Sequence, residues 1–342
     1  MHPEMSLVIL TVFTTVGQGM FILLVALQAI VPELPRSFFI ATSLVVLIFQ
    51  FIGMGASFFH LSNPSRGWKA ILMWKNSWLS KEILTLSAFV GLAALYFILY
   101  AADVKGTLLH VTGYAGIAAS LGFFIASSMV YASITYIKEW ANAFTPAGFM
   151  LFGLTSGAAF VLTLLHLTVS ATDVISAVTM LLIVLTALSL ILKAMAYRYN
   201  STVYNSLSVK HAIGMNDPNI RLIDMGTPYE HFNTTEYYHP TTKEMNKLLK
   251  RATLVLTFIV PLAIWMAAAY GPDGIKALSF PLIAAGACIM LAGLVLERRL
   301  FFIQGNHIQN LYYGRYRKCT IDNPLLSKDN DGIKNSLLKA IG

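Results

Sequence analysis

Eight runs of roughly twenty apolar residues constrain this chain more tightly than any motif within it. They fall at 6–30, 37–59, 83–101, 113–136, 148–169, 174–196, 252–271 and 277–297. At about 1.5 Å of rise per residue, each is long enough as a helix to cross the ~30 Å hydrocarbon core of a bilayer. Lipid offers no partner to a backbone N–H or C=O, so the runs are expected to be helices and not open strands. Composition points the same way: of 342 residues, 56% are hydrophobic and 12% charged, about half the charged share of a soluble domain. The first run extends to Val31 with no small-residue cleavage pattern after it, so it reads as a retained span. The fold class expected is an all-α integral membrane protein with eight transmembrane helices.

Lys and Arg total 24 against 16 Asp and Glu, a net charge of +8. In a chain this apolar the excess points to anionic membrane lipid, and nucleic acid is excluded as a partner. An eight-span chain alternates between two sides, and 21 of the 24 basic residues collect on one of them. These are Arg66, Lys69, Lys75 and Lys81, then Lys138, then eight from Lys193 to Arg251 and eight from Arg298 to Lys339. Only Arg36, Lys105 and Lys276 fall on the other side. The positive-inside rule therefore places both termini in the cytoplasm, N-in/C-in.

Two long polar segments lie on that basic side: 199–250, between helices 6 and 7, and 303–342 at the C-terminus. Residues 1–302 are read as one anchor domain that includes 199–250 as a docking loop, and 303–342 as a cytoplasmic tail. Neither segment has the aliphatic content to fold as a core of its own. Tyr229-Glu230-His231-Phe232-Asn233-Thr234-Thr235-Glu236-Tyr237-Tyr238-His239 and Asn306-His307-Ile308-Gln309-Asn310-Leu311-Tyr312-Tyr313-Gly314 are rich in Tyr, Asn and His. That composition suits a docking surface better than a solvated connector.

Some function classes lose ground on what the spans lack. Ion-coupled transport usually leaves ionisable groups at mid-membrane, and the runs hold no Asp, Glu, Lys or Arg away from their ends. A solute transporter or facilitator without such coupling stays open as a rival. Gln18, between Gly17 and Gly19, is the clearest mid-depth polar group; it serves either an interhelical hydrogen bond or a ligand. Haem held between helices needs paired axial imidazoles, and only His110 and His166 fall near one face together, which does not amount to a haem site. Two cysteines, Cys288 and Cys319, cannot build an iron–sulfur or zinc centre. Neither haem nor metal is expected in this chain.

Chemistry concentrates between the second and third runs. His60 closes the second, Asn63-Pro64 turns the chain, Arg66 follows, Trp68, Trp74 and Trp78 are interleaved, and Glu82 opens the third behind Ser80 as its expected cap. A His and a Glu thus arrive at one depth on neighbouring helices. Quinone reduction takes two electrons and two protons, and it needs a group that hydrogen-bonds a carbonyl oxygen and passes a proton, a task suited to His. Glu82, at the membrane boundary, is placed to relay protons; Arg66 would hold negative charge on the head group, and Trp74 and Trp78 would wall an apolar pocket. The alternative is structural: His60 caps a helix, Glu82 answers a helix N-terminus, Arg66 meets lipid phosphate, and the tryptophans form an interfacial belt.

The string Phe59-His60-Leu61-Ser62-Asn63-Pro64-Ser65-Arg66, followed by Trp78-Leu79-Ser80-Lys81-Glu82, resembles the membrane anchor subunits of the dimethyl sulfoxide reductase family. Ser206 to Gly214, Phe232 to Glu236 and Asn306 to Tyr313 look more like the anchor (C) subunit of the cytoplasmic sulfite dehydrogenase (quinone) branch of molybdoenzymes. The enlarged loop departs from the shorter anchors of the family. The resemblance implies a non-catalytic subunit in the bacterial inner membrane that binds quinone, either ubiquinone or menaquinone. It also implies cytoplasmic partners: an iron–sulfur electron-transfer subunit and a molybdopterin catalytic subunit, which carry the clusters and the molybdenum cofactor. By position, His60 and Glu82 match residues implicated at the family's quinol site, and Gln18 matches a Gln in its first span. The expected function is electron transfer from sulfite to quinone, with a menaquinol-oxidising anchor of a dimethyl sulfoxide or polysulfide reductase as the alternative.

Overall fold

The computed structural model describes residues 5–59, 64–169, 172–208, 212–214, 232, 243–272 and 279–311, without the side chains of 64–67, 204, 205 and 243. Eight helices in it are long and apolar enough to cross a membrane, and no strand occurs among the described residues. They are α1 (Met5–Ile30), α2 (Arg36–Ser57), α3 (Trp78–Ala101), α4 (Thr107–Ala132), α5 (Phe144–Thr168), α6 (Thr172–Ser206), α7 (Lys243–Leu254, a π-turn Val255–Ile259, then Val260–Tyr270) and α8 (Ser279–Gln304). All eight expected spans are present. Chain alternation gathers the α2–α3, α4–α5 and α6–α7 connections and the residues after α8 at one end, called here the basic face.

The ends of several helices differ from the hydropathy reading. Helix α4 stops at Ala132, not 136, because residues 133–143 turn back on themselves, with Ser133 N–H donating to Met129 O and Ile137 N–H to Ile134 O. Helix α6 runs to Ser206 and α7 begins at Lys243, so both ends of the 199–250 segment are helical and the loop proper is shorter than expected. The physical reason is that a helix need not end where its apolar run ends: once beyond lipid, water or polar neighbours satisfy its outer face. The π-turn of α7 ends one residue short of Pro261, whose missing N–H leaves the upstream carbonyls to be paired by a wider turn.

Helix α1 is the hub of the bundle: 78% of its span is buried, against 22% for α3. It packs on α2, α4, α5 and α8. Its crossing with α5 is close enough to require glycine, since a Cβ on Gly19 would lie 2.0 Å from the Gly153 carbonyl oxygen, and one on Gly157 2.3 Å from Gly19 C. Small residues that let backbones approach are what holds helices together where lipid removes the hydrophobic driving force. Buried polar pairs cross-link the bundle: Tyr96 donates to Gln28 at 2.8 Å, Thr155 and Ser189 share a 2.8 Å hydrogen bond, and Trp265 donates to Thr186 at 3.3 Å. At the opposite end Arg36 donates to the carbonyls of Tyr100 and Ala101 at 2.8 and 2.7 Å, closing the last turn of α3.

Candidate functional site

The chain enters the basic face after α2 and continues into a 3₁₀ helix, Pro64–Met73, that leads to α3. The cap of α3 is Ser77, not Ser80: its hydroxyl accepts from the Ser80 N–H at 3.3 Å, and the helix starts at Trp78. Ser77 satisfies an orphan amide that Ser80, already helical, could not. Starting a turn earlier carries Glu82 into the second turn of α3, where only 8% of it is exposed. Beside it lies the Ser127 hydroxyl of α4, which makes no hydrogen bond of good geometry to any described residue. One turn further in, Leu86 packs with Phe123 and Phe124 and makes the inner wall apolar.

His60 lies outside the described residues, and Arg66 is described in its backbone alone. Trp78 is half-buried with the Lys81 ammonium 4.0 Å above its ring. Trp74 is exposed with Lys75 5.8 Å above it, and Trp68 is exposed with Lys69 at 5.9 Å. Paired Trp and Lys at a helix boundary suit a membrane interface. Gln18 is fully buried in α1, and neither its Oε1 nor its Nε2 has a hydrogen-bond partner among the described residues. It does not sit level with Glu82. Phe21 packs on Gly116 of α4; counting residues at about 1.5 Å each from that contact puts Gln18 roughly 12 Å deeper than Ser127. The structure therefore brings Glu82 and Trp78 onto one helix near the basic face and leaves Gln18 apart, in the middle of the bundle.

A second constellation was not singled out by the sequence. Lys193 of α6 donates to Glu297 Oε1 of α8 at 2.5 Å, with both side chains at most 8% exposed, and Arg298 Nε stands 3.7 Å from Glu297 Oε2. The Arg298 guanidinium lies 3.9 Å above the Phe149 ring and 5.5 Å from that of Phe301. Hydropathy put Lys193 and Glu297 at span ends; because α6 and α8 run on to Ser206 and Gln304, both fall inside the bundle. A signal was present: Glu297-Arg298 follows an apolar run with no turn residue to end the helix before it. These charges border a cleft of about 40 Å³ between α5, α6, α8 and the α4–α5 connection.

Part of the expected docking surface packs inward. Gly305 approaches Trp140 so closely that a Cβ there would lie 2.1 Å from the indole. Ile308 N–H donates to Tyr136 O at 3.1 Å, His307 stacks near Tyr136, and Asn306, Asn310 and Leu311 are buried. Residues 306–311 thus fasten the end of α8 to the α4–α5 connection; an apolar residue in every turn, hidden by the Asn and His content, accounts for it. The stretch 229–239 lies outside the described residues except Phe232. Among the described residues, no group of three or more His, Cys, Asp or Glu is arranged to hold a metal ion.

Comparison with known proteins agrees with this architecture. The chain is 29% identical over 330 residues to the C subunit of the sulfite dehydrogenase of Allochromatium vinosum, covering 92% of this chain and 99% of that protein. The model of the DMSO reductase anchor subunit (DmsC) family matches residues 1–314. A match of that extent displaces the transporter and facilitator readings. Eight apolar helices with α1 at their hub, and a buried carboxylate near the face where the loops gather, are thus those of a multi-pass membrane protein that belongs to the DMSO reductase anchor subunit family.

Proposed function

We propose that this chain is the quinone-reactive anchor of a molybdopterin and iron–sulfur complex that oxidises sulfite. Its termini and basic face would lie in the cytoplasm of a bacterium, with the iron–sulfur subunit docked there and the chain in the inner membrane. The observation that carries the reading is Glu82, a carboxylate sunk into α3 beside the Ser127 hydroxyl, on the helix that follows the His60 to Arg66 stretch of the sequence. A buried carboxylate at such a boundary is costly and marks function more often than packing. The residues present fit a quinone head group: Ser127 offers a hydroxyl, Leu86 with Phe123 and Phe124 an apolar floor, and Trp78 a half-buried ring at the rim. Gln18, with a free amide deeper in the bundle, suits water or a second polar contact.

Quinone would accept the electrons delivered by the iron–sulfur partner. On this reading His60 would hydrogen-bond the head group and supply it a proton, Glu82 would pass protons toward it, and Arg66 would balance its charge. Trp74, exposed beside Lys75, holds the entry segment at the lipid boundary. The relation to a sulfite dehydrogenase subunit supports sulfite as donor. The family description favours a second reading, a menaquinol-oxidising anchor that uses the same site in reverse.

Purification of the tagged chain in mild detergent, with metal analysis and mass spectrometry of what accompanies it, tests both. Molybdenum, iron and two larger subunits with sulfite–dye activity support the proposal. The same subunits with quinol-driven reductase activity and no sulfite oxidation support the reverse reading. A chain recovered alone and metal-free refutes both.

A further inference from the structure

Between the basic face and the head-group site lies a set of buried charges that quinone binding does not use. Lys193, Glu297 and Arg298 sit in the interior of a membrane bundle, where ionisable groups are rare and line pathways when they occur. Glu297 Oε2 and Arg298 Nε, 3.7 Å apart, make no hydrogen bond among the described residues, and Asn200 Oδ1 in the same cleft makes none. Polar atoms left without a hydrogen bond in a cleft are served by water beside them where the cleft has room for it. The cleft volume of about 40 Å³ holds roughly three waters at ~10–15 Å³ each. Half-buried Asn142 and Asn200 line its outer part and open it to the basic face.

Phe301 lines the cleft and leads from it to α4. Tyr131 of α4 is buried against Phe149 and Phe301, the two rings beneath the Arg298 guanidinium, at centroid distances of 5.9 and 5.5 Å. Ser127, one turn from Tyr131 on α4, lies beside Glu82. The groups that face Glu297 are Lys193 and Tyr197 of α6 and Arg298 of α8; Glu139, before α5, and Asn200 line the same cleft. Lys250 of α7 stacks over Tyr197.

We infer that this cleft is a proton conduit between the basic face and Glu82, with Glu297 and its ordered water as the inner relay and Tyr131 and Ser127 as the link. The inference rests on the quinone reading of Glu82. Each quinone reduced takes two electrons from the iron–sulfur partner and two protons from water, and the cleft carries protons only. A proton enters from cleft water, Glu297 takes it up and returns one inward, and the Tyr131 hydroxyl accepts a proton on one side as it releases its own on the other. No group is oxidised and no net charge stays behind. The Arg298 guanidinium, beside Oε2, orders water and holds Glu297 in place. The Lys193 ammonium, donating to Oε1, fixes the Glu297 carboxylate in the cleft.

The test uses the whole complex with its iron–sulfur clusters reduced by dithionite, and reads their reoxidation by a short-chain ubiquinone in stopped flow. Glu297→Gln should slow reoxidation by about ten-fold or more, within the range for removal of a proton-transfer group. The apparent KM for the quinone should stay unchanged and the solvent deuterium isotope effect should rise. Glu297→Ala should be slow and recover with acetic acid, which a purely structural ion pair would not do. Should the single variants fail to assemble, Lys193→Met/Glu297→Leu removes both charges and must show the same slow rate. Unchanged reoxidation, or a rate that falls only through a raised KM, overturns the conduit. Glu82→Gln separates the two levels: if it retains full reoxidation, the quinone reading itself falls; if it is slow while the Glu297 variants are fast, only the conduit does.

Discussion

Replacing Gly19 by alanine puts the central helix crossing to the test. The new Cβ would stand 2.0 Å from the Gly153 carbonyl oxygen, a rigid backbone atom. Ordinary contact begins near 3.4 Å, so α1 and α5 must part by about 1.4 Å locally. A radial gap of ~0.5–1 Å already forfeits a quarter to a half of each dispersion contact. With on the order of forty heavy-atom pairs at ~0.1–0.2 kcal/mol across the crossing, the loss is about 1–4 kcal/mol, matching the ~1–3 kcal/mol typical of overpacking. Gly91 of α3 is the control, since a Cβ there meets nothing within 4 Å. Thermal unfolding of both variants in the same detergent should show a midpoint lower by roughly 2–10 °C for Gly19→Ala. Gly91→Ala should leave it in place. Equal midpoints would refute the idea that backbone approach between α1 and α5 holds the bundle.

In the assembled complex, His60→Ala and Glu82→Gln should each cut quinone-linked turnover by about 10²-fold, while dye-linked activity of the catalytic partner persists; retention of quinone turnover removes the altered residue from the site. Ser77→Ala should cost about 1 kcal/mol at the start of α3, seen as faster amide hydrogen exchange in the first turn with the rest of the helix unchanged. Alkaline phosphatase fused at Lys105 should be active and the same enzyme fused after Leu311 inactive. The reverse pattern would invert the topology derived from the 21 basic residues gathered on one side.

Hydropathy is a sum over neighbours in sequence, and what it controls was legible there: eight spans, their helical nature and the side on which charge gathers. The His60 to Glu82 segment was legible too, as residue types in one connection, and so was family membership, carried by strings such as Phe59-His60-Leu61. Depth was not. Glu82 is buried because Ser77 starts α3 a turn early, and Gln18 stands apart from it because α1 and α4 meet at Phe21 and Gly116. Residues 306–311 looked like an interaction surface until their apolar members were seen to close on Trp140 and Tyr136. The charged cleft depended most on tertiary structure. Lys193 and Glu297 are 104 residues apart, and each alone reads as the polar end of a helix. Only their pairing lets both helices carry charge inside the bundle, because a buried charge is tolerated when its counter-charge is buried with it.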